Sequence, residues 1–229
     1  MSRVGSESPC VPSHSQAFPV IPLDVARCRD VGEMLARAFD DDPVWRYVCP
    51  DPRRRHRQLA WMFEQGARLT APLGECYVTR NLEGAAFWFP PDRPAEIDLW
   101  DTLRVEMLRG IFLIGARSLI QGWGIYADVL RRHRQDLRSP HWVLDTLGVA
   151  PAFQRSGVAK ALLQPILDRA DVANTPCYVI THNPVNVAVY ERFGFRVLEH
   201  GTVLAKGLFV CSLRRPARGP SGPSGPSGG

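Results

Sequence analysis

The segment from residue 147 to residue 159 constrains the fold more than any other part of the chain. It begins with the apolar character of a buried strand, Pro151 starts a short loop, and helical spacing follows Gly157. Glycine lets the backbone approach a ligand closely, and the first N–H groups of a helix have no partner inside it. The amides of residues 155–160 can therefore donate to phosphate oxygens, aided by the helix dipole. The segment predicts an anion-binding turn.

This turn differs from two familiar phosphate-binding loops. A Walker loop needs a Lys-Ser/Thr pair after its glycines, and a dinucleotide fingerprint needs three glycines spaced as Gly-x-Gly-x-x-Gly. Residues 154–159 are Gln-Arg-Ser-Gly-Val-Ala and contain neither pattern. A single glycine between a strand and a helix also suits an ordinary structural turn, so the pattern alone leaves both interpretations open.

The composition of the two ends predicts one folded domain between disordered tails. Residues 1–19 are rich in Ser and Pro, and residues 216–229 repeat Gly-Pro-Ser. Neither end can bury enough apolar surface to offset the entropy lost on ordering. The length of 229 residues suits a single domain, which we place at residues 20–215.

The first half of this domain shows helical patterns around one hairpin. Asp24 and Asp51 are expected to cap helices, and Pro52 occupies a first helical position. Residues 40–43 should end the first helix. We expect helices at residues 24–39 and 51–67, antiparallel strands at residues 75–80 and 84–89, and two or three helices within residues 97–133, broken near Gly110 and residues 122–124.

The second half alternates strands with helices. Asn183 should cap its last helix, because Pro184 follows it. We expect, in chain order, a strand at Trp142–Val149, a helix at residues 157–170, a strand at Cys177–Thr181, a helix at residues 185–193, and strands at residues 195–198 and 208–213 with Gly201 near the turn between them. This order indicates a mixed α/β fold.

Charge, hydropathy and cysteine spacing exclude several functional classes. The net charge of +5 includes an arginine run at residues 53–57 without interleaved aromatics, so we interpret the run as a solvated helix face and expect no nucleic-acid partner. The apolar stretch at residues 110–124 is too short and too interrupted to span a membrane. Six scattered cysteines without a Cys-x-x-Cys pair indicate free thiols in a reducing compartment and no metal site. Residues 2–25 are broken by prolines and show neither a signal peptide nor an anchor, so we expect a cytoplasmic location.

Two motifs resemble the GNAT superfamily of acetyltransferases. Residues 154–159 resemble its pyrophosphate loop, Gln/Arg-x-x-Gly-x-Gly/Ala, and Leu147-x-Val149-x-Pro151 resembles the strand before that loop. Residues 183–195 resemble its Asn-x₆-Tyr-x-x-x-Gly-Phe segment. Because both motifs occur in the family's order, we interpret the chain as a member of this superfamily.

Further residues are similar to puromycin N-acetyltransferase and its relatives. The similar patterns are Gly84-Ala85-Ala86-x-Trp88-x-x-Pro91, Trp142-x-Leu144 and Tyr190-Glu191-Arg192-x-Gly194-Phe195. Ile180 occupies the position where that enzyme's strand has a glutamate. Substrate chemistry that depends on the glutamate does not carry over to this chain.

The superfamily resemblance implies a fold and a reaction. The fold would be α/β with mixed α+β character, built on a central, mostly antiparallel, twisted sheet of six to seven strands flanked by helices. The reaction would be N-acetylation of a small-molecule primary amine, with acetyl-CoA as co-substrate and direct transfer in a ternary complex.

The resemblance also implies roles for individual residues. Tyr190 would protonate the departing thiolate, and Asp145 is a candidate base. Asn186 lies one helical turn before Tyr190, where it could bond the pantetheine or hold the tyrosine. The residues expected to bind the coenzyme are Leu147, Val149, Gln154, Arg155, Ser156, Gly157, Val158, Ala159, Lys160 and Asn186.

The sequence leaves several alternatives open. Glu75, Glu83 and His141 are weaker candidates for the base, and residues 40–42 either receive a cationic substrate or are a solvated helix end. The chain could also be a non-catalytic acyl-CoA-binding module or an acetyltransferase for proteins or peptides. A closed pocket built by residues 97–133 would favour a small molecule. The acceptor, the acyl-chain length and the choice between monomer and homodimer are not defined.

Overall fold

A seven-stranded sheet organises the computed structural model, which describes residues 18–92, 110, 112–203 and 207–217. Its strands lie in the order β1-β2-β3-β4-β5-β7-β6. Neighbouring strands are antiparallel except for β4 and β5, which are parallel. The strands are β1 (Val20–Pro22), β2 (Glu75–Thr79), β3 (Gly84–Phe89), β4 (Trp142–Val149), β5 (Cys177–Thr181), β6 (Arg196–Val203) and β7 (Leu208–Arg215). The mostly antiparallel sheet expected from the sequence is confirmed.

Helices cover both faces of this sheet. Asp42, Asp51 and Asn183 each accept a backbone N–H at a helix start, and a proline follows each of them. The helices are α1 (Cys28–Ala38), α2 (Pro43–Val48), α3 (Pro52–Thr70), α4 (Ala116–Asp136), α5 (Val158–Val172) and α6 (Pro184–Arg192), with short 3₁₀ turns at Val25–Arg27 and Pro151–Phe153.

Two separate cores result, one on each face. On the first face, α1 and α3 pack against β2 and β3 through side chains such as Leu35, Phe63 and Phe87. On the second face, α5 packs against β3, β4 and β5 through side chains such as Leu162 and Leu144. Five cysteines of the described segments are buried and unpaired: Cys28, Cys49, Cys76, Cys177 and Cys211.

Three expectations from the sequence were wrong in detail, and one strand was missed. Asp42 and Pro43 were expected only to end the first helix. They also start α2, because Asp42 caps this helix and Pro43 follows it, as Asp51 and Pro52 do in α3. The glycines at residues 122–124 lie inside α4, which is continuous because its neighbours pack against it. Gly201 pairs with Val210 inside β6 rather than lying near a turn. Strand β1, which pairs with β2, was not anticipated.

Some expectations concern segments outside the described residues. These are the tails at residues 1–17 and 218–229 and the helices expected within residues 97–109. The helices beginning near residues 24, 51, 157 and 185 and the hairpin of β2 and β3 are confirmed within a few residues.

Gly148 permits a close approach that positions the end of α1. A Cβ atom at this position would lie 2.3 Å from Cδ2 of Leu35 and 3.0 Å from Cε2 of Phe39. Leu35 is fully buried, so it has little room to move away. The absence of a side chain at Gly148 therefore brings the chain after Phe39 against β4.

Replacing Gly148 with alanine should destabilise the protein, whereas replacing Gly66 with alanine should not. Gly148→Ala is expected to lower the free energy of unfolding by about 1–3 kcal/mol through overpacking. Gly66 lies inside α3, where a Cβ would meet no heavy atom within 4 Å, so Gly66→Ala should raise the free energy by about 0.5–1 kcal/mol. Denaturant unfolding measures both values, and equal changes would contradict the packing described for Gly148.

Candidate active site

Strands β4 and β5 diverge and leave a gap in the sheet. They pair only where Trp142–Leu144 faces Cys177–Val179. Strand β4 continues to Val149 alongside β3, and β5 continues to Thr181 alongside β7. Beyond the paired residues the two strands therefore border an opening between the two faces of the sheet.

Asp145 lies at the start of this gap because β4 has a bulge. Phe87 pairs with Thr146 and Trp88 with Leu144, which leaves Asp145 without a partner on β3. Its carboxylate accepts a hydrogen bond of 2.9 Å from Oγ1 of Thr146. The side chain is exposed to solvent, yet protein atoms surround it closely enough for desolvation to raise the pKa of the carboxyl.

The backbone groups of Leu147 and Val149 point into the gap. The N–H of Ala150 donates to the carbonyl of Glu83 over 2.8 Å, which sets the alternation of hydrogen bonds between β3 and β4. In an antiparallel ladder the intervening residues direct their N–H and C=O groups to the other side. The Val149 carbonyl accepts only a long hydrogen bond of 3.5 Å from Nε2 of Gln154.

The turn from β4 into α5 exposes unpaired amides. Arg155 and Gly157 have positive φ angles of 64° and 98°, and Gly157 is the N-cap of α5 without any side-chain cap. Ser156 donates from Oγ to the Phe153 carbonyl over 2.5 Å, which holds the turn in place. Residues 154–157 and Lys160 are exposed, Ala159 is half-buried, and only Val158 has a buried side chain. The first N–H groups of α5 therefore face solvent.

Tyr190 lies on α6 and packs in the core on the α5 face of the sheet. It is 6% exposed and its ring packs 5.7 Å from that of Phe195. Its hydroxyl makes no hydrogen bond with any residue that the structure describes, and it is not sealed from solvent. Burial raises the pKa of the phenol, and the negative charge of Asp42 raises it further. Tyr190 therefore presents a protonated, unpartnered hydroxyl.

Asn186 is held by β5. Its Nδ2 donates to Oγ1 of Thr181 over 3.3 Å, and the same oxygen accepts the backbone N–H of Asn183 over 3.3 Å. The amide of Asn186 thus ties α6 to the end of β5. In this arrangement it supports the gap beside Tyr190 and does not bond the tyrosine.

The weaker candidates for the base already have partners. Glu75 forms an ion pair of 3.0 Å with Arg169, and Nε2 of His141 lies 2.6 Å from Nε2 of His133. Glu83 accepts a hydrogen bond of 3.1 Å from Asn81. Asp145, which has only a neighbouring hydroxyl, is the more available carboxylate.

His182, which follows β5 directly, was not among the residues expected at the site. Burial lowers the pKa of its imidazole to about 4, and the nearby charges of Asp128 and Arg132 act on it in opposite directions. Its Nε2 atom is buried without a hydrogen-bond partner among the described residues. The sequence could have indicated this residue, because His182 stands between a strand of apolar residues and the helix cap Asn183.

Comparisons with known proteins agree with this geometry. The model of the acetyltransferase (GNAT) family matches residues 82–195. An uncharacterised N-acetyltransferase of Schizosaccharomyces pombe is 25% identical over 167 residues, which are 70% of this chain and 67% of that protein.

Solved structures share the fold. A Corynebacterium glutamicum structure described as histone acetyltransferase HPA2 and related acetyltransferase has a TM-score of 0.64 and 22% identity, covering 89% of this chain and 98% of that one. The polyamine N-acetyltransferase of Drosophila melanogaster, which forms N-acetylagmatine, has a TM-score of 0.50 and 15% identity, covering 86% and 98%. Within the described segments, no helix combines the length and apolarity that a membrane span requires.

The buried imidazole of His182 should make stability depend on pH. Its pKa is lower in the folded protein than the ordinary 6.5, so the native state resists protonation and loses stability as the pH falls from about 6.5 to 4. Allowing for its partial exposure, we expect this loss to be about 2–3 kcal/mol. His182→Gln should reduce the slope of unfolding free energy against pH in this interval, measured by urea unfolding. The exposed His200→Gln is the control, and parallel curves for wild type and His182→Gln would contradict the desolvation of His182.

Proposed function

We propose that this chain, which belongs to the GNAT superfamily of acetyltransferases, transfers acetyl from acetyl-CoA to a small-molecule primary amine in a ternary complex. The chain is an N-acetyltransferase, and members of its family use acetyl-CoA as co-substrate. The observation that carries the finer proposal is the uncapped start of α5 beside the gap between β4 and β5. It provides an anion site and a path to Tyr190 in one place.

The diphosphate of the coenzyme suits the turn at residues 154–160. The N–H groups of Gln154 and Ser156 donate to backbone carbonyls over 3.4 Å, whereas those of Arg155 and Gly157 and the first N–H groups of α5 have no backbone partner. The positive end of the α5 dipole adds to their attraction for an anion. Arg155 and Lys160 are exposed cations beside them. Arg155 holds a left-handed conformation that costs about 1 kcal/mol or more for a residue with a side chain, a kind of strain that occurs mostly at functional sites.

The pantetheine arm suits the unpaired edge of β4. An extended amide chain can bond the N–H and C=O groups of Leu147 and Val149 as an added strand would. The carbonyl of Val149 needs only to release the long hydrogen bond from Gln154. An arm bound this way leads from the diphosphate turn towards Asp145 and Tyr190.

The chemical step needs one proton donor and one acceptor. The amine nitrogen bonds to the acetyl carbonyl carbon, the carbon–sulfur bond breaks, and the departing thiolate takes the proton of the Tyr190 hydroxyl. The surplus proton of the amine passes to Asp145 and then to solvent, and Tyr190 regains a proton from solvent, so that the net products are the amide and the free thiol. Burial raises the pKa of the Asp145 carboxyl, which makes it a better proton acceptor than an ordinary aspartate.

A small cationic amine is the substrate class that we propose. Three consecutive aspartates, Asp40, Asp41 and Asp42, follow α1, and a structural relative from Drosophila melanogaster forms N-acetylagmatine. The kinship with puromycin N-acetyltransferase stays a prediction, and Ile180 packs as an apolar side chain against the α1 and α3 core. We also propose a cytoplasmic location, supported by five buried, unpaired cysteines among the described residues.

Loss of the glycine at the turn should weaken coenzyme binding. At a φ of 98° a β-branched residue is strained, so Gly157→Val should shift the amides and weaken acetyl-CoA binding about tenfold or more in calorimetry. Gly115 is a matched control, because it is the N-cap of α4 with a φ of 84° and open surroundings. Gly115→Val should cost similar stability but keep the affinity. Folded wild type without acetyl-CoA binding would refute the proposed function.

Loss of the Tyr190 hydroxyl should slow turnover without loosening the coenzyme. Tyr190→Phe is expected to lower the turnover number about 10²- to 10⁴-fold, because the thiolate then lacks its proton donor. Thiol release, screened with aminonucleosides, polyamines, amino acids and peptides, measures turnover. Tyr77→Phe is the control, since its hydroxyl bonds Glu75 over 2.6 Å outside the gap. Unchanged turnover in Tyr190→Phe would remove this residue from the mechanism.

A further inference from the structure

Helix α4 exposes large apolar side chains and buries charged ones. An ordinary surface helix turns an apolar stripe towards the core and polar residues towards water. In α4 the apolar Ile120 and Trp123 are 72% and 52% exposed. Three of the four buried side chains are polar or charged, the four being Ser118, Ile125, Asp128 and Arg132.

The exposed apolar residues lie on one side of the helix. Positions i, i+4, i+7 and i+11 share a helix face, and an exposed apolar residue occupies each of them from residue 116 onwards. We call this set the α4 stripe, and its members are Ala116, Ile120, Trp123 and Ala127. Phe112, which precedes the helix, is 85% exposed. Apolar side chains that share one exposed face indicate a contact surface more strongly than scattered ones do.

Ion pairs fix the rotation of α4, so the stripe stays on the outside. Nε of Arg132 donates to Oδ2 of Asp128 over 2.8 Å, and its Nη1 lies 3.3 Å from the carboxylate of Glu199 on β6. The hydroxyl of Tyr178 on β5 donates to Asp136 over 2.6 Å. Turning the stripe inwards would break these contacts and separate a buried pair of charges, which is costly.

The exposed charges of α4 are all positive. Its exposed charged side chains are Arg117, Arg131 and Arg134, whereas Asp128 is buried and Asp136 is half-buried. The surface on either side of the stripe therefore attracts anions.

The arginine run of α3 has one structural member and three exposed ones. Arg55 is buried and donates to the carbonyls of Asp40, Cys49 and Pro50 over 3.3, 2.8 and 3.2 Å. The other members are exposed, and no ion pair of the described residues includes them: Arg53, Arg54 and Arg57.

These exposed arginines lie near the N-terminal end of the α4 stripe. Nε2 of Gln58 donates to the carbonyl of Ile114 over 3.0 Å, which joins α3 to the residues just before α4. Arg54 lies one helical turn before Gln58, and Arg57 precedes it directly. Helix α3 thus adds positive charge beside the stripe.

An anionic lipid surface fits this combination of apolar and positive side chains. Apolar and tryptophan side chains of a surface helix enter the boundary between headgroups and acyl chains, while arginines contact the phosphates. A second copy of this chain would bring the same arginines face to face, and like charges repel. A nucleic acid would use the arginines but leave Ile120 and Trp123 without a role.

We infer that α4 binds the surface of an anionic lipid bilayer, with Ile120 and Trp123 entering the interface and the neighbouring arginines contacting the headgroups. The helix would lie parallel to this surface, which requires no membrane-spanning length. The inference does not depend on the proposed function, because α4 packs through Ile125 on the face of α1 and α3, whereas α5 covers the other face.

Ile120→Glu tests the inference when the full chain is floated with lipid vesicles. The wild type should bind vesicles of phosphatidylcholine with phosphatidylserine at least about tenfold more tightly than vesicles of phosphatidylcholine alone, because only the former attract arginines. Ile120→Glu should weaken binding to the anionic vesicles about tenfold or more, because they repel a carboxylate that also resists burial. Added salt should weaken binding of the wild type.

Val172→Glu is the matched control. Val172 is the last residue of α5 and is 90% exposed, so the substitution adds the same charge on the other face of the sheet. Its binding to the anionic vesicles should stay within about twofold of the wild type, because the new charge lies away from the stripe. Thermal unfolding verifies that both variants fold.

Loss of vesicle binding in Ile120→Glu alone, with the thermal stability of the wild type, supports the inference. Failure of the folded wild type to float with anionic vesicles overturns it, as do equal binding to both kinds of vesicle and equal losses in the two variants. A dimer of the wild type that Ile120→Glu converts into a monomer in sedimentation also overturns it, because the stripe would then be a contact between copies. The proposed function is tested separately, by acetyl-CoA binding.

Discussion

The divergence of β4 from β5 is the constraint on which the rest of the structure depends. Continuous pairing would satisfy the backbone of Leu147 and Val149 within the sheet and close the passage between its faces. Because pairing stops at Leu144, the sheet keeps polar backbone groups available for an extended ligand. The bulge at Asp145 lies directly after the last residue of β4 that pairs with β5.

Different helices cover the two faces of the sheet. On one face, α5 supplies exposed amides and packs its apolar side against β3, β4 and β5. On the other face, α1 and α3 pack against β2 and β3, and Arg55 of α3 donates to backbone carbonyls of the segment after α1. Tyr190 of α6 packs in the core on the α5 side.

Local signals explain which parts of the structure the sequence predicted. Capping residues followed by proline, as at Asp51 and Asn183, act over one helical turn and could be recognised without tertiary information. The motifs around Gly157 and Tyr190 identified the family, which the comparison with its model supports. The assignment of individual ligand-binding residues stays a prediction.

Features that depend on distant partners were not predictable in this way. The bulge at Asp145 exists only in the register with β3, and the place of Asp42 depends on Gly148 and Arg55. Packing likewise keeps α4 helical through Gly122.

The contacts of Arg55 have a consequence for how this part of the chain can change. Its buried guanidinium donates to the carbonyls of Asp40, Cys49 and Pro50, so residues 40–50 are anchored on α3. The turn that leads from β4 into α5 is a separate part of the chain. Substitutions on the exposed side chains of this short segment can therefore accumulate while the backbone of that turn is inherited unchanged.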